Sequence, residues 1–261
     1  MLLQPIVRRF ETMLAFAFVA AGFVLLDSAR ADSETIPTRP GVTVPFEIDV
    51  PSGAPAIVLI FEGGGGSIER RAFGWEIHEL LVDDGIGAAS IGAPSDQHGF
   101  LGGMHPSFRA TDQHVDDIDI VLGAIVSEYD LPIWVFGVSM GAASAAMYGL
   151  RRSGRVAGVV LASSPTRPPR GLGVHELPLD QITVPLLAVA HADDGCPGTP
   201  PTGAQEIVNA ASSSPNARAR IFSGGDSAGW SPCRPRSHHT FYRIEREVGR
   251  AVADFIKSNT P

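Results

Sequence analysis

The amino-acid sequence predicts an α/β protein with a mostly parallel central sheet covered by helices on both faces. Short, uninterrupted apolar runs recur along the chain, as strands buried on both faces require. Between them lie segments whose apolar residues fall at helical spacing. Strand and helix alternate about six times, the order that builds a parallel sheet in one domain. No internal repeat, second domain or low-complexity linker interrupts it.

Segment 41–50 alternates and ends at Pro51-Ser52-Gly53, a strand followed by a turn. The run Ala56-Ile57-Val58-Leu59-Ile60-Phe61 is a doubly buried strand, broken by Gly63-Gly64-Gly65-Gly66. Helical spacing covers 69–82 (Phe73, Ile77, Leu80, Leu81), and 86–91 is a short buried strand. A loop rich in Gly, Pro and His runs from 92 to about 110, before an amphipathic helix over 111–129 (Val115, Ile118, Leu122, Ile125, Val126). The pattern then repeats: strand 133–136, small-residue helix 139–150, strand 156–162, a Pro-rich excursion over 163–182, strand 184–190, helix 204–211 and strand 218–222. A loop of Gly, Ser, Pro and His leads to a closing helix over 241–257. The excursion holds Pro165, Pro168, Pro169 and Pro178 and little helical periodicity, so only a minimal cap fits there. Leu172, Leu177 and Leu179 are expected to border the substrate pocket.

Composition narrows the functional classes. The 261 residues carry 20 Lys+Arg against 28 Asp+Glu, a formal net charge of −8, with 44% hydrophobic and 18% charged residues. That balance suits a chain with a sizeable core and disfavours a nucleic-acid binder, which needs clustered cations to neutralise phosphates. Two cysteines cannot build a structural zinc site.

Residues 1–31 read as a secretory signal. Arg8 and Arg9 precede a 14-residue apolar run at 13–26, shorter than the roughly 20 residues needed to span a bilayer. Ala29-Arg30-Ala31 supplies the small-x-small cleavage pattern. The expected mature chain, 32–261, is a single exported domain, periplasmic or secreted, with no stable membrane insertion. It keeps 17 basic and 26 acidic residues once Arg8, Arg9, Arg30, Glu11 and Asp27 are removed. In an oxidising compartment Cys196 and Cys233 are expected to pair. The bond would close a loop of about 38 residues, worth roughly 3–4 kcal/mol in the chain-entropy description.

The sharpest chemical signal is Gly137-Val138-Ser139-Met140-Gly141. It follows an apolar strand directly and opens a helix, where a strand–turn–helix elbow presents a serine and needs small neighbours. A serine needs a base, and the base needs an orienting group. Of the histidines after Ser139, His238 and His239 lie in the loop before the last helix and follow a plausible acid. His239, next to the helix start, is preferred to His238. Strand 184–190 runs into His191-Ala192-Asp193-Asp194-Gly195-Cys196, and Asp194 is preferred to Asp193 as the acid. His191 reads as a structural histidine. Cys196 lies two residues after Asp194 and Cys233 six before His239, so their bond would tie the acid loop to the base loop. An oxyanion hole needs the Met140 N–H and one from Gly64 or Gly65. The glycine run lacks the Lys-Ser/Thr ending of a phosphate loop and the spacing of a dinucleotide site.

Those four segments, Phe61 to Gly66, Gly137 to Gly141, His191 to Cys196 and Ser237 to Phe241, resemble the α/β-hydrolase family, and the resemblance spans essentially all of the mature chain. It implies an esterase- or dienelactone-hydrolase-like serine hydrolase acting on esters, thioesters or related acyl compounds, with a small-molecule acyl substrate and no cofactor. Ser139 would attack the carbonyl, His239 act as general base and Asp194 fix its tautomer. Glu62 departs from the His that many members carry before the glycines, and Thr240 from the Gly often found after the base. An amidase or peptidase with the same triad, and a catalytically silent ligand-binding member of the fold, are the alternatives. Oligomeric state is open at this level.

Other polar residues carry less. His98, His105, Asp112, His114 and Asp116 match no metal-ligand spacing and are expected to form a solvated polar region, with His114 and Asp117 sharing a helix face. Asp96 is expected to stabilise its turn. Trp75 and Trp134 read as core anchors, and Trp230 as a loop residue near the base.

Overall fold

Strands β3 (Ile57–Phe61) and β5 (Ile133–Val138) run side by side at the middle of an eight-stranded sheet, in a computed structural model that describes residues 34–99, 103–169 and 172–261. The expected leader at 1–31 lies outside the described residues. The other strands are β1 (Glu34–Arg39), β2 (Val42–Asp49), β4 (Gly87–Ile91), β6 (Gly158–Ala162), β7 (Leu186–His191) and β8 (Ala217–Phe222). Their spatial order is β1-β2-β4-β3-β5-β6-β7-β8. Every pair from β4 to β8 is parallel, and β1–β2 and β2–β4 are antiparallel. The result is the α/β-hydrolase architecture, with a mostly parallel sheet and a small cap.

The apolar runs are explained by burial on both faces. Ile57, Leu59 and Phe61 of β3 pack into one core cluster, and Val58 and Ile60 into the other, as side-chain alternation dictates. The first cluster is closed by helices α2 (Asp112–Glu128), α3 (Gly141–Arg151) and α4 (Gly203–Ala210), through residues such as Val115, Ile118, Ala145 and Ile207. The second is closed by α1 (Phe73–Asp83) and α5 (Glu245–Asn259), through Ile77, Leu81, Val248 and Val252. Thr111 caps α2 by accepting from the His114 N–H.

Three elements differ from the sequence expectation. Strand β1 carries little apolar signal: it is an edge strand, half of its residues exposed, with Pro37 beside a register shift that an interior strand would not accommodate. The closing helix begins at Glu245 rather than near 241, because Phe241 and Arg243 hold φ of 54° and 71°, incompatible with a right-handed helix. Phe241 is instead fully buried in the core. In the excursion, two single 3-10 turns (Val174–Glu176 and Leu179–Gln181) replace any helical cap. Leu179 is buried and Leu177 packs against the core, so of the three expected pocket leucines only Leu172 is exposed.

No helix among the described residues is long and apolar enough to cross a membrane.

Candidate active site

Register places the site. Phe61 pairs with Gly137, Val138 with Ala162, and Ala162 with Val189, so the chain leaves β3, β5, β6 and β7 along one edge of the sheet. Ser139 sits at the turn between β5 and α3 with φ of 52°, a left-handed conformation that costs a residue with a Cβ roughly 1–3 kcal/mol. Crowding imposes it: a Cβ on Gly137 would press on Gly141 and Ala142, and one on Gly141 would press on the carbonyls of Phe61 and Glu62. The two glycines of the motif therefore let the elbow close against β3. They also bring Gly63 against the Ser139 side chain.

Asp194 and His239 come together as the preferred pair from their respective loops. The His239 Nδ1 lies 2.9 Å from Asp194 Oδ2, with both side chains buried. An ionised carboxylate only accepts, so Nδ1 is the donor and Nε2 is left with its lone pair. Nε2 is buried and has no partner among the described residues. Two further groups hold the carboxylate: the Cys196 N–H donates to Oδ1 at 2.9 Å and the Thr199 hydroxyl to Oδ2 at 2.9 Å. Thr199 Oγ1 also lies 3.1 Å from His239 Nδ1. Asp193, by contrast, is exposed.

Cys196 and Cys233 are disulfide-bonded, as expected. The base loop is pinned again by Ser237, whose buried hydroxyl meets the carbonyls of Pro232 (2.9 Å) and Arg234 (2.7 Å). Ser163, at the end of β6 with φ of 42°, donates its hydroxyl to the His239 carbonyl at 2.7 Å. Sequence reading missed Thr199 and Ser163, since each is a single hydroxyl with no local pattern.

His191, Asp193 and His238 place ligand-capable atoms within 4.8 Å of one another. His191 is already committed: Nδ1 accepts from the Asp193 N–H at 3.0 Å and Nε2 donates to the Gly224 carbonyl at 2.8 Å. Its ring stacks on His238 at 4.4 Å, nearly parallel. That is a structural histidine with its neighbour packed on it, and a metal could bind only by displacing backbone hydrogen bonds.

The glycine loop after β3 divides its amides sharply. The Gly63 N–H donates to Glu62 Oε1 at 3.0 Å and the Gly66 N–H to the Gly63 carbonyl at 2.9 Å. Among the described residues the N–H groups of Gly64, Gly65 and Met140 find no acceptor. Those three were singled out from sequence for an oxyanion. Burial pushes the Glu62 carboxyl up to about 7, against the pull of the Gly63 and Gly74 N–H groups and of Arg109.

Arg109 was not foreseen. Its side chain is buried, donating from Nη2 to the Gly64 carbonyl and from Nη1 to Ser144 Oγ, both at 3.0 Å. His114 Nε2 meets the same Ser144 hydroxyl at 2.9 Å. His114 is thus buried rather than part of a solvated region, and burial, with the charges of Arg109 and Arg39, lowers its pKa to about 3. Asp117 is buried too and pairs with Arg39 at 2.9 Å. Asp96 takes the other side of the same guanidinium at 2.8 Å, so it serves a cross-link rather than only its own turn. Trp75 and Trp134 are core residues and Trp230 is 84% exposed.

A family model described as serine aminopeptidase, S33, matches residues 54–191, more than half of the chain. The chain belongs to this family. The match spans the glycine loop and Ser139 but ends before Asp194 and His239, so the reading of the acid and base stands on geometry. A search of curated proteins found no match. Among solved structures, an esterase from Pyrococcus furiosus is similar with a TM-score of 0.66, at 16% identity, covering 88% of this chain and 93% of that one. An alpha-beta serine hydrolase homologue from Coxiella burnetii gives 0.63 at 18% identity, covering 85% and 96%. Dienelactone hydrolase from Anabaena variabilis gives 0.62 at 17% identity, covering 89% and 100%. Such likenesses show the α/β-hydrolase fold.

Proposed function

We propose that the protein cleaves a carboxylic ester or related acyl bond of a small-molecule substrate through a Ser-His-Asp triad. The observation that carries the reading is the buried Asp194–His239 pair, whose Nε2 has no partner among the described residues, on the same sheet edge as the strained Ser139. In this reading His239 Nε2 takes the Ser139 proton as Oγ attacks the carbonyl carbon. The imidazolium, stabilised by Asp194, then returns the proton to the departing alcohol. Water repeats the sequence on the acyl-enzyme and releases the acid. The N–H groups of Met140, Gly64 and Gly65 receive the negative charge on the former carbonyl oxygen. The residues themselves suffice for this chemistry, without a cofactor.

The family description favours a second reading, an amidase or peptidase using the same triad on a harder leaving group. Relative kcat/KM for p-nitrophenyl esters and p-nitroanilides separates the two. The location is proposed as exported after cleavage near Ala31, a reading supported by the disulfide.

The test is intact mass of the non-reduced mature protein before and after a fluorophosphonate, with peptide mapping. One adduct on Ser139 is expected. A folded, oxidised sample that takes no label would overturn the hydrolase reading and favour ligand binding.

A further inference from the structure

A buried guanidinium with no carboxylate partner needs an explanation. Arg109 is 1% exposed, and among the described residues no Asp or Glu lies within ion-pair distance of it. Burying such a charge is expensive unless its donors are well used. Burial here lowers its pKa to about 10, with Glu62 opposing at longer range. Its side-chain hydrogen bonds are the two to the Gly64 carbonyl and Ser144 Oγ, and Nε has none among the described residues.

The loop it grips is the least self-supporting segment at the site. Four consecutive glycines lose more backbone entropy on ordering than any other sequence, and their peptide planes can flip with little steric resistance. Gly64 holds φ of 52° with nothing near the place of a Cβ. Two of the loop's peptide planes are fixed by backbone partners: the Gly63 carbonyl accepts from the Gly66 N–H, and the Gly65 carbonyl from the Met104 N–H at 2.8 Å. Among the described residues, the plane between Gly64 and Gly65 has only Arg109. The chain has no cis peptide among its described residues, so the C=O and N–H of that plane point in opposite directions. Holding the Gly64 carbonyl on Arg109 therefore aims the Gly65 N–H away from it.

We propose that Arg109 is a positioning residue for acyl transfer: it locks the Gly64–Gly65 peptide so that the Gly65 N–H stands ready for the oxyanion. Ser144 of α3 holds the guanidinium, and His114 of α2 holds Ser144. The inference rests on the hydrolase reading above, since it assigns the amide a transition-state role. It extends that reading to a side chain that never touches substrate.

Steady-state kinetics on a p-nitrophenyl ester with the full mature chain, beside thermal melts and the fluorophosphonate labelling rate, test it. Loss of a single oxyanion donor slows enzymes about 10²–10³-fold, so a misaimed one in Arg109→Met should lower kcat about 10–100-fold. KM should stay within about twofold, and labelling should slow in step with kcat. Arg109→Lys keeps the charge and one donor and should recover part of the loss. A folded Arg109→Met with wild-type kcat, or with a raised KM and unchanged kcat, overturns the proposal. Should Arg109→Met fail to fold, Arg109→Lys decides: a several-fold lower kcat at unchanged KM supports it, and wild-type kcat overturns it. Failure of the hydrolase reading looks different, because the wild type itself would then neither turn over ester nor label at Ser139.

Discussion

The acid–base half of the candidate site joins residues 45 apart in sequence, and it is held by a covalent bond, two backbone-directed hydroxyls and a buried carboxylate. The nucleophile–oxyanion half joins the ends of two neighbouring parallel strands, and it is held by register, by glycine packing and by one buried guanidinium. The contrast follows from where each half sits. β3 and β5 are central strands whose pairing already fixes the distance between Gly63 and Ser139. The loops after β7 and β8 lie toward the edge of the sheet and, apart from the buried Phe241, are polar, so cross-links would hold a proton-transfer geometry there.

The largest effect is expected where the halves meet. Ser139→Ala removes the proposed nucleophile and should reduce ester turnover about a million-fold, with loss of fluorophosphonate labelling and a retained fold. Residual activity near wild type would detach the elbow from the chemistry. Next comes the acid–base half by itself. Asp194→Asn keeps the shape but lets the side-chain amide donate toward His239, favouring the wrong tautomer, and should lower kcat about ten-thousand-fold. The matching change Asp193→Asn should leave kcat within about twofold, because that side chain is exposed. Equal losses from both would break the assignment of Asp194.

Removing the cross-link probes the same half more gently. Cys196→Ala with Cys233→Ala should destabilise the protein by about 4 kcal/mol in urea unfolding, from the entropy regained by a loop of sequence separation 37. Turnover of the folded fraction should fall about tenfold, since the Cys196 N–H and the base loop lose their anchor while the strands of the other half stay in register. A double variant as active and as stable as the parent would show that the hydroxyls alone suffice.

Legibility in the sequence follows the same division. Central strands announce themselves as apolar runs, and the elbow as a local pattern between strand and helix, so the strands and the turn of the β3–β5 half are legible in the sequence, while the oxyanion role of the Met140, Gly64 and Gly65 amides stays a proposal. Chain order and loop position were enough to prefer Asp194 and His239. What the sequence hid were the supporting groups. Arg109 and His114 lie in or beside a polar Gly-, Pro- and His-rich segment and look solvated until α2 turns His114 toward Ser144 of α3. Thr199 and Ser163 matter through a single hydroxyl each, aimed by tertiary contacts that no periodicity records. The leucines of the excursion misled for the converse reason, because apolar residues in a Pro-rich loop read alike whether they line a pocket or plug the core, as Leu179 does.

The smallest expected effect belongs to the oxyanion half and concerns stability against pH. Burial raises the Glu62 carboxyl from 4.5 to about 7; Glu69 adds to the rise, while the Gly63 and Gly74 N–H groups and Arg109 oppose it. Below about 4.5 the group is protonated in both folded and unfolded chains and contributes no pH dependence. Between about 4.5 and 7 the folded chain binds a proton that the unfolded chain has released, so stability falls as pH rises. Above about 7 the folded chain carries the buried charge and the full penalty is present. Glu62→Gln cannot ionise, and its side-chain oxygen can still accept from the Gly63 N–H. The variant's stability relative to the parent should therefore climb between pH 5 and pH 7 and level off by pH 8, read as urea midpoints at each pH. A flat difference across that range would mean that Glu62 ionises as an ordinary surface carboxylate, leaving its carboxyl wetter than its place against Gly74 of α1 implies.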